Sequence, residues 1–569
     1  MTRTRRLASA VTPWVLPCCA IATITLGFWG WLDHGHRIDD ALYRAIALFA
    51  VNNEAYRFPP GSTDLRFLVG RWTGLLSVFG AALFALAALL QRHAVVALAQ
   101  VMRRRVAVVG SGPIALKAFE RARASGRGAV WIGAPALESH RLNAFALPWP
   151  AEDAETSIET YVADAEQVLV AHEDPAGSLL LAKQVRSVAP RALITVMLDD
   201  ASLAEASAAM INEPRTRVIT PATVSARALH VAHPPFLLAD EAGHGRIHAL
   251  IVGFGQSGQA IARDLIVNCR TTRLAPPRIT VVDPAARALE GALRVRAPEL
   301  DRCAEMIFIE GRISTQAVEP EPDALISAIT AGGAVTAAYV CRSADADSLS
   351  TAAALQSLLR LSGLGDPPIF TRLRDAHTLT RSSNGRHGLN ALISFGDLSA
   401  IVAASEFLRR EPDDAARAFS EAYRSTLSED QRNDPNNRSG RPWDELDETF
   451  RQATRDAVAH IPAKLASARI DPALWRGVAR PPRLPPGTKL FDTKAEWEAL
   501  AALEHERWNA QRRLDGWRWA DLTTRDEARR LHPALAPYED LPETTKAYDR
   551  ALVEEVQAIC GGAGPIKAS

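Results

Sequence analysis

A short glycine-rich segment offers the clearest chemistry in the chain. It follows an apolar run at residues 248–252 and carries glycine at its first, third and sixth positions. In this pattern the first glycine permits a tight turn, the second lets the backbone approach a pyrophosphate, and the third allows the next helix to pack closely. The N-terminus of that helix would offer free N–H groups and a partial positive charge to phosphate. The six residues are Gly253, Phe254, Gly255, Gln256, Ser257 and Gly258.

An acidic residue lies where a ribose would need it. Residues 278–282 form a second apolar run, which ends in Asp283. A carboxylate at the end of this second strand accepts hydrogen bonds from ribose hydroxyls in dinucleotide-binding folds. The register of turn, helix, strand and Asp283 therefore predicts that NAD or another adenine nucleotide binds here. The alternative is a scaffold that keeps its glycines only for packing.

A related pattern occurs earlier in the chain. Residues 106–109 form an apolar run, Gly110 and Gly112 begin a G-x-G-x-x-A turn, and residues 129–132 form the next apolar run. The acidic residue expected after it is missing, because glycine and alanine occupy positions 133–134. This first turn is therefore expected to bind a different ligand or none, with Gly110 and Gly112 as its candidate contacts.

The alternation of apolar strands with helical segments continues after both turns. Further strand candidates at residues 167–171 and 192–196 flank a helix candidate at 177–188. Such alternation is typical of a parallel sheet covered by helices on both faces. The sequence therefore predicts the α/β fold class, with tandem Rossmann-type parallel-sheet domains.

Two long uncharged runs near the N-terminus predict membrane-spanning helices. Residues 7–32 and 72–91 contain no Asp, Glu, Lys or Arg, and a bilayer core needs about 20 apolar residues in a helix. Arginines cluster at residues 3–6 and 103–105, so the positive-inside rule places both termini in the cytoplasm of a bacterial-type inner membrane. A cleaved signal peptide is the alternative for the first run, and its length and the second run argue against it.

The segment between the two runs contains a short helix-like stretch at residues 39–50. In a two-span channel a pore helix would lie here, and an interfacial helix packing on the spans is an equally good interpretation. Residues 51–55, which follow, read Val-Asn-Asn-Glu-Ala and differ from the T-V-G-Y-G carbonyl filter of potassium channels. This difference argues against potassium selectivity.

Composition narrows the classes of function. Lys+Arg and Asp+Glu both number 65, and this balance argues against a nucleic-acid-binding protein. The six cysteines have no C-x-x-C spacing, so no metal site is predicted. No Tyr-x-x-x-Lys pair or hydride-transfer set accompanies the glycine turns. We therefore expect no catalytic residues and no enzyme activity. The Rossmann-type fold does not change this expectation, because the fold alone does not imply dehydrogenase chemistry.

Two membrane spans followed by tandem Rossmann-type cores resemble proteins with cytoplasmic domains that regulate potassium conductance, called TrkA-N or RCK domains. The resemblance covers roughly residues 104–400 and rests on the architecture and the glycine turns. It implies nucleotide or ion binding and assembly into a homo-oligomer that pulls on membrane helices. The missing carbonyl filter is the main departure from that family.

The last segment carries the most distinctive motifs. Leu503–Ala510 reads LEHERWNA, Asp515–Trp519 reads DGWRW, and His532–Tyr538 reads HPALAPY, followed by LPETTKAYDR at Leu541–Arg550. Together they resemble the ryanodine-receptor repeat, the RyR domain, which implies a small, mainly helical ligand-sensing module. Aromatic residues beside charged ones suggest a ligand cleft, although a core role is the commoner one for each aromatic. The candidate cleft residues are His505, Arg507, Trp508, Trp517 and Tyr538.

These features together predict a ligand-sensing membrane effector: a nucleotide-regulated ion channel or membrane-permeability protein, with the lipid bilayer and a nucleotide-type ligand as partners. A membrane-anchored nucleotide-binding scaffold without a pore is one alternative, and an NAD-dependent oxidoreductase is another. The predicted organisation is a two-helix transmembrane region at 1–100, Rossmann-type domains at 104–240 and 246–410, a helical linker at 411–483 and a RyR domain at 484–558.

Overall fold

A computed structural model describes most of the chain. The described residues are 3–49, 64–101, 105–135, 146–148, 158–159, 161–210, 213, 215–362, 366–376, 392–435 and 437–561. The chain divides into two compact units, Met1–Met102 and Arg103–Ser569.

The N-terminal unit is built on two long helices, α1 (Arg3–Asp33) and α3 (Leu65–Val101), with the short α2 (Ile38–Ala47) between them in sequence. The long helices run antiparallel, because contacts pair the end of α1 with the start of α3. A Cβ atom on Gly30 would lie 2.9 Å from the Phe67 ring, and the Thr23 and Thr73 hydroxyls are 2.8 Å apart. Small residues and hydroxyl pairs of this kind let apolar helices approach closely.

The outer faces of this helix pair are apolar and exposed. Trp29 is 59% exposed, Trp72 66% and Phe79 62%. In the described residues one helical stretch, Val15–Asp33, is long and apolar enough to cross a membrane, a property that a signal sequence near an N-terminus shares. The second predicted span falls within α3, where the side chains of residues 84 and 86–91 lie outside the described part of the chain.

Helix α2 corresponds to the helix-like stretch predicted at residues 39–50. Ala41 and Ala45 are buried, and Gly27 of α1 allows close contact, since a Cβ there would lie 2.8 Å from the Leu48 side chain. Residues 51–55, which replace a carbonyl filter in the sequence, lie outside the described residues, as do arginines 103 and 104.

The C-terminal unit begins with a six-stranded parallel sheet in the order β3-β2-β1-β4-β5-β6. Its strands are β1 (Arg105–Val109), β2 (Gly128–Ala134), β3 (Ala146–Pro148), β4 (Ala165–Val170), β5 (Leu193–Met197) and β6 (Thr216–Ile219). The helices are α4 (Pro113–Ala124), α5 (Pro175–Val188), α6 (Ala201–Met210), α7 (Pro221–Ala232) and α8 (Pro235–Glu241).

A second six-stranded parallel sheet repeats this order, with β14-β13-β12-β7-β8-β9 as neighbours. Its strands are β7 (Arg246–Val252), β8 (Ala275–Asp283), β9 (Glu305–Glu310), β12 (Ala337–Val340), β13 (Ile369–Arg372) and β14 (Leu392–Phe395), and a small antiparallel pair, β10 (Arg312–Ile313) and β11 (Val318–Glu319), lies between β9 and β12 in sequence. The helices are α9 (Gln256–Asn268), α10 (Ala286–Arg296), α11 (Pro322–Thr330), α12 (Asp345–Leu361) and α13 (Leu398–Ala404). The α/β fold class predicted from the strand–helix alternation is confirmed.

Both faces of each sheet are buried, which explains why the strands are continuous apolar runs. In β7, Ala249 and Ile251 belong to one hydrophobic cluster while Leu250 and Val252 belong to another. Alternate side chains of a strand point to opposite faces, so helices must cover both. This arrangement places the glycine turns at the carboxyl ends of the strands, where open α/β sheets bind ligands.

The remaining chain is mainly helical and packs on the second sheet. Its helices are α14 (Asp414–Ser425), α15 (Glu429–Asn433), α16 (Glu448–Ala459), α17 (Ile461–Ser467), α18 (Lys494–Leu514) and α19 (Glu543–Gly561), with the short strands β15 (Arg518–Trp519) and β16 (Leu531–His532). One hydrophobic cluster runs from Ile251 of the second sheet through Ile461 to Leu500 and Val556. The second sheet, the linker helices and the C-terminal helices therefore share one core.

Candidate functional site

Two glycines of the second turn are required by the protein's own backbone. Gly253 has φ of +94°, and a Cβ there would lie 2.8 Å from the Cys341 carbonyl oxygen. A Cβ on Gly258 would clash with the Gly253 carbonyl oxygen, because α9 packs closely against the turn. Neither glycine by itself indicates a ligand.

Gly255 is different, because nothing within the protein requires it. Its φ of −70° suits any residue, and no heavy atom lies within 4 Å of a Cβ built there. It is exposed and lies directly before α9, whose first-turn N–H groups have no acceptor within the helix. The missing side chain keeps the approach to these donors open, which is what a phosphate group needs.

Asp283 supports the turn from the end of β8. Its Oδ2 accepts a hydrogen bond from the Phe254 N–H at 2.8 Å, and its Oδ1 accepts one from the Ala285 N–H at 2.8 Å. The side chain is half-buried, and each carboxylate oxygen can accept a further hydrogen bond. Asp283 can therefore shape the glycine turn and receive ribose hydroxyls with the same carboxylate.

The other predicted residues of this turn have separate tasks. Phe254 is buried, with its ring centroid 5.5 Å from that of Phe308 in an edge-to-face arrangement. The Gln256 side-chain oxygen accepts a hydrogen bond from the Ala201 N–H at 3.2 Å, which links this turn to the first Rossmann core. Ser257 is half-buried in the first turn of α9.

A cation that sequence reasoning missed lies beside the turn. Arg342 follows β12, and its Cδ would be 3.4 Å from a Cβ on Gly253. No carboxylate lies within 4 Å of its guanidinium in the described part of the chain. An arginine here can neutralise a pyrophosphate bound at the start of α9. The sequence could have indicated Arg342 only if β12, the short buried strand before it, had been recognised, and sequence reasoning missed that strand as well.

The first glycine turn has the opposite electrostatic character. Gly110 and Gly112 have φ of +120° and +97°, so backbone conformation alone accounts for both. A Cβ on Gly112 would lie 2.9 Å from Cγ of Glu173, so an acidic side chain lies where a phosphate would approach. Pro113 also removes one N–H donor from the start of α4. These features disfavour phosphate binding at the first turn.

Two of the five predicted cleft residues are interior groups. His505 is 2% exposed, with Nδ1 3.1 Å from Oδ2 of Asp549 and Nε2 3.0 Å from the Ala536 carbonyl oxygen. Arg507 is also 2% exposed and donates hydrogen bonds to Glu504 at 2.9 Å and to Gln511 at 2.8 Å. The hydrogen bonds of His505 hold α18 to its neighbours, and those of Arg507 lie within α18.

Two further predicted residues, Trp508 and Trp517, surround an arginine. The Arg512 guanidinium carbon lies 5.8 Å from the Trp508 ring centroid, 5.4 Å from that of Trp517 and 5.6 Å from that of Phe450. Burial lowers the pKa of Arg512. The Tyr538 ring centroid lies 5.9 Å from that of His505, and its hydroxyl donates to Glu498 at 2.8 Å.

A buried charge cluster joins the linker to α18. The Lys464 ammonium lies 2.6 Å from Glu504, and both side chains are fully buried. Burial alone would raise the pKa of Glu504, but the charges of Arg507 and Lys464 outweigh it and hold that pKa below its usual range. His460 lies 3.3 Å from the Lys464 ammonium and 3.0 Å from the Arg270 carbonyl oxygen. Burial, together with Lys464, lowers its pKa to about 4.

Acid is therefore expected to destabilise the C-terminal unit through His460. In the unfolded chain this imidazole has a pKa near 6.5, against about 4 in the fold. Between these values the unfolded chain binds the proton more tightly, so stability falls as the pH falls from about 6.5 to about 4. The loss is about 3 kcal/mol. Thermal unfolding followed across this pH range should show a smaller loss in His460→Gln, and equal losses in the two proteins would contradict this assignment.

Three buried groups that sequence reasoning missed meet between α7 and α9. His230 Nδ1 lies 2.7 Å from Oδ2 of Asp264 and 3.8 Å from the Cys269 sulfur. Burial raises the pKa of the Cys269 thiol well above its usual value, and Asp264 raises it further. Their hydrogen bonds join α7 to the C-terminal end of α9 within the core.

The topology and the glycine turns define the class: an α/β protein with tandem parallel sheets in the strand order of dinucleotide-binding folds, followed by a helical C-terminal segment. Residues 491–562 match the family model of the RyR domain, which confirms the RyR segment expected from the sequence motifs. No curated protein matches the chain.

Several solved structures are similar at low sequence identity. GsuK bound to ADP is 13% identical with a TM-score of 0.37, and the alignment covers 71% of this chain and 98% of that chain. The GsuK channel bound to NAD is 11% identical with a TM-score of 0.37, covering 74% and 86%. The GsuK RCK domain is 12% identical with a TM-score of 0.33, covering 57% and 79%.

Proposed function

We propose that this chain is a membrane effector regulated by a nucleotide that binds at the second glycine turn. The observation that carries the proposal is Gly255. The protein's own packing would leave room for a side chain at this position, so packing does not explain the glycine. Asp283 for the ribose and Arg342 for the phosphates complete a site for NAD or another adenine nucleotide. The first core acts as a scaffold in this proposal, since Glu173 lies against its turn.

The effector part of the proposal rests on the N-terminal unit. The exposed apolar faces of α1 and α3 suit a lipid bilayer, and two spans with both termini in the cytoplasm follow from the arginine distribution. With two spans per chain, any pore must be shared among the subunits of a homo-oligomer. Nucleotide binding shifts the membrane helices only if one arrangement of the oligomer binds the nucleotide more tightly than the other.

A reconstitution experiment tests the whole proposal. Full-length protein is reconstituted into liposomes that are loaded with potassium or with a small dye. Efflux of the potassium or the dye is then measured in the presence of NAD, NADH, ATP, ADP or ADP-ribose. We expect one of these nucleotides to change efflux severalfold. Nucleotide binding without any efflux would favour the membrane-anchored scaffold, for which the sequence at 51–55 is the supporting observation. No binding by any of the five would reject nucleotide regulation.

A further inference from the structure

A cavity of about 790 Å³ lies within the C-terminal unit, and Phe254, Gln256 and Gln259 of the second glycine turn and α9 form part of its lining. Its walls come from the first core, from α9 and α10 of the second core, from the linker helices and from the RyR segment. This volume falls in the range of small-molecule sites, which is about 300–1,000 Å³. The cavity is therefore large enough for a ligand of nucleotide size.

Charge distinguishes this cavity from an ordinary packing defect. Ten arginines and eight carboxylates line it, so the lining carries a net positive charge. Seven of the arginines lie within 4 Å of a carboxylate: Arg217, Arg227, Arg263, Arg409, Arg438, Arg455 and Arg480. The other three, Arg296, Arg512 and Arg530, have no carboxylate at that distance in the described part of the chain.

Arg512 and Arg530 lie at the turn formed by residues 515–517, and Arg296 lies beside this turn through its backbone, with its guanidinium donating to Gln259 at 3.3 Å. A Cβ on Gly516 would lie 2.9 Å from the Arg296 carbonyl oxygen and 3.0 Å from an Arg530 nitrogen. Arg530 donates to the Asp515 carbonyl oxygen at 2.6 Å, and the carboxylate of Asp515 is already paired with an arginine of α9 at 3.0 Å. Arg512 lies over the Trp517 ring.

Arg512 carries a buried hydrogen-bond donor that no protein group in the described residues satisfies. Its Nε is buried and has no hydrogen-bond partner in the described residues. The three aromatic rings around it offset part of the cost of removing the guanidinium from water, but they accept none of its directed hydrogen bonds. An anion with several oxygens would bind all three arginines through charge-assisted hydrogen bonds.

We propose that this cavity is a second ligand site, specific for a phosphate-bearing small molecule and formed jointly by Arg296 of the second core and by Arg512 and Arg530 of the RyR segment. It goes beyond the proposed nucleotide site and stands independently of it. Because its arginines come from two parts of the chain, the ligand stabilises their packing against each other.

Calorimetric titration of full-length protein in detergent with inorganic pyrophosphate and with ADP tests the site. Arg512→Gln and Arg530→Gln are each expected to weaken pyrophosphate binding at least tenfold, the loss that one charge-assisted hydrogen bond produces. Arg518→Gln, an exposed arginine of β15, is the matched control and should bind as the wild type does. Binding should also weaken as the salt concentration rises.

The two ligand sites are separable by mutation. Gly255→Ala should leave the arginine-dependent binding of pyrophosphate intact while it impairs nucleotide binding at the glycine turn. If pyrophosphate and ADP do not bind the wild type, or if Arg530→Gln binds them as tightly as the wild type, the cavity proposal is wrong. Arg530 is exposed, so that variant remains informative if Arg512→Gln fails to fold.

Discussion

Gly255→Ala is expected to weaken nucleotide binding by about 10- to 100-fold while leaving the melting temperature of the protein unchanged. The new methyl group would meet no protein atom, because the surrounding 4 Å is empty and the backbone φ is −70°. It would occupy the space through which a phosphate reaches the N–H groups of α9. Losing one or two charge-assisted hydrogen bonds to phosphate accounts for the size of the effect.

Two further glycines provide the controls for that variant. Gly291 lies in α10, where an added Cβ also meets nothing within 4 Å, so Gly291→Ala should keep full affinity. Gly258→Ala should instead lower the melting temperature, because its Cβ would clash with the Gly253 carbonyl oxygen. Calorimetry with NAD and ADP measures affinity, and thermal unfolding measures stability. If Gly255→Ala binds nucleotide as tightly as the wild type, no phosphate lies at this turn.

Glu504→Ala is expected to lower the free energy of unfolding of the C-terminal unit by about 3–5 kcal/mol. Lys464 and Arg507 both donate to this carboxylate from fully or almost fully buried positions. Removing it would leave two desolvated cations without their anion, and the cost of the unpaired charges exceeds the value of the ion pair itself.

Denaturant unfolding of the variant measures this loss, and Glu506→Ala is the matched control. Glu506 lies two residues further along the same helix and is 57% exposed, with its nearest arginine at 3.6 Å. A surface pair of this kind contributes about 0–1 kcal/mol. The double variant Lys464→Met/Glu504→Leu should recover only part of the lost stability, because Arg507 stays buried without its anion. Equal effects of Glu504→Ala and Glu506→Ala would show that the buried cluster does not stabilise the fold.

The sequence predicted the sheets because their strands are buried on both faces. An apolar run such as residues 248–252 followed by a glycine turn has few other structural solutions. The fold class and the RyR segment could therefore be predicted from the sequence. Strands β12 and β13 could not, because four-residue segments carry too little periodicity to separate them from helix.

The charges beside the two glycine turns depend on tertiary contacts, and the spacing of residues in the sequence does not reveal those contacts. The sequence could not show that Glu173 lies at the first turn while Arg342 lies at the second, because each comes from a strand distant in the chain. It also grouped His505 and Arg507 with Trp517 by chemical type, although the first two are interior. Arg512 differs from other arginines of α18 only through its packing against rings from three segments.

The shared hydrophobic core has a consequence for cooperativity. Ile251, Ile461 and Val556 belong to one continuous apolar cluster, and the Leu484 N–H in the proline-rich segment donates to the Cys560 carbonyl oxygen at 2.7 Å. Amide hydrogens of the second sheet and of α18 should therefore exchange with solvent through the same global opening, as one foldon. The RyR segment is therefore not an independently folding domain. Truncation of the chain before it would expose an apolar face of the Rossmann core, and the truncated protein would be prone to aggregate.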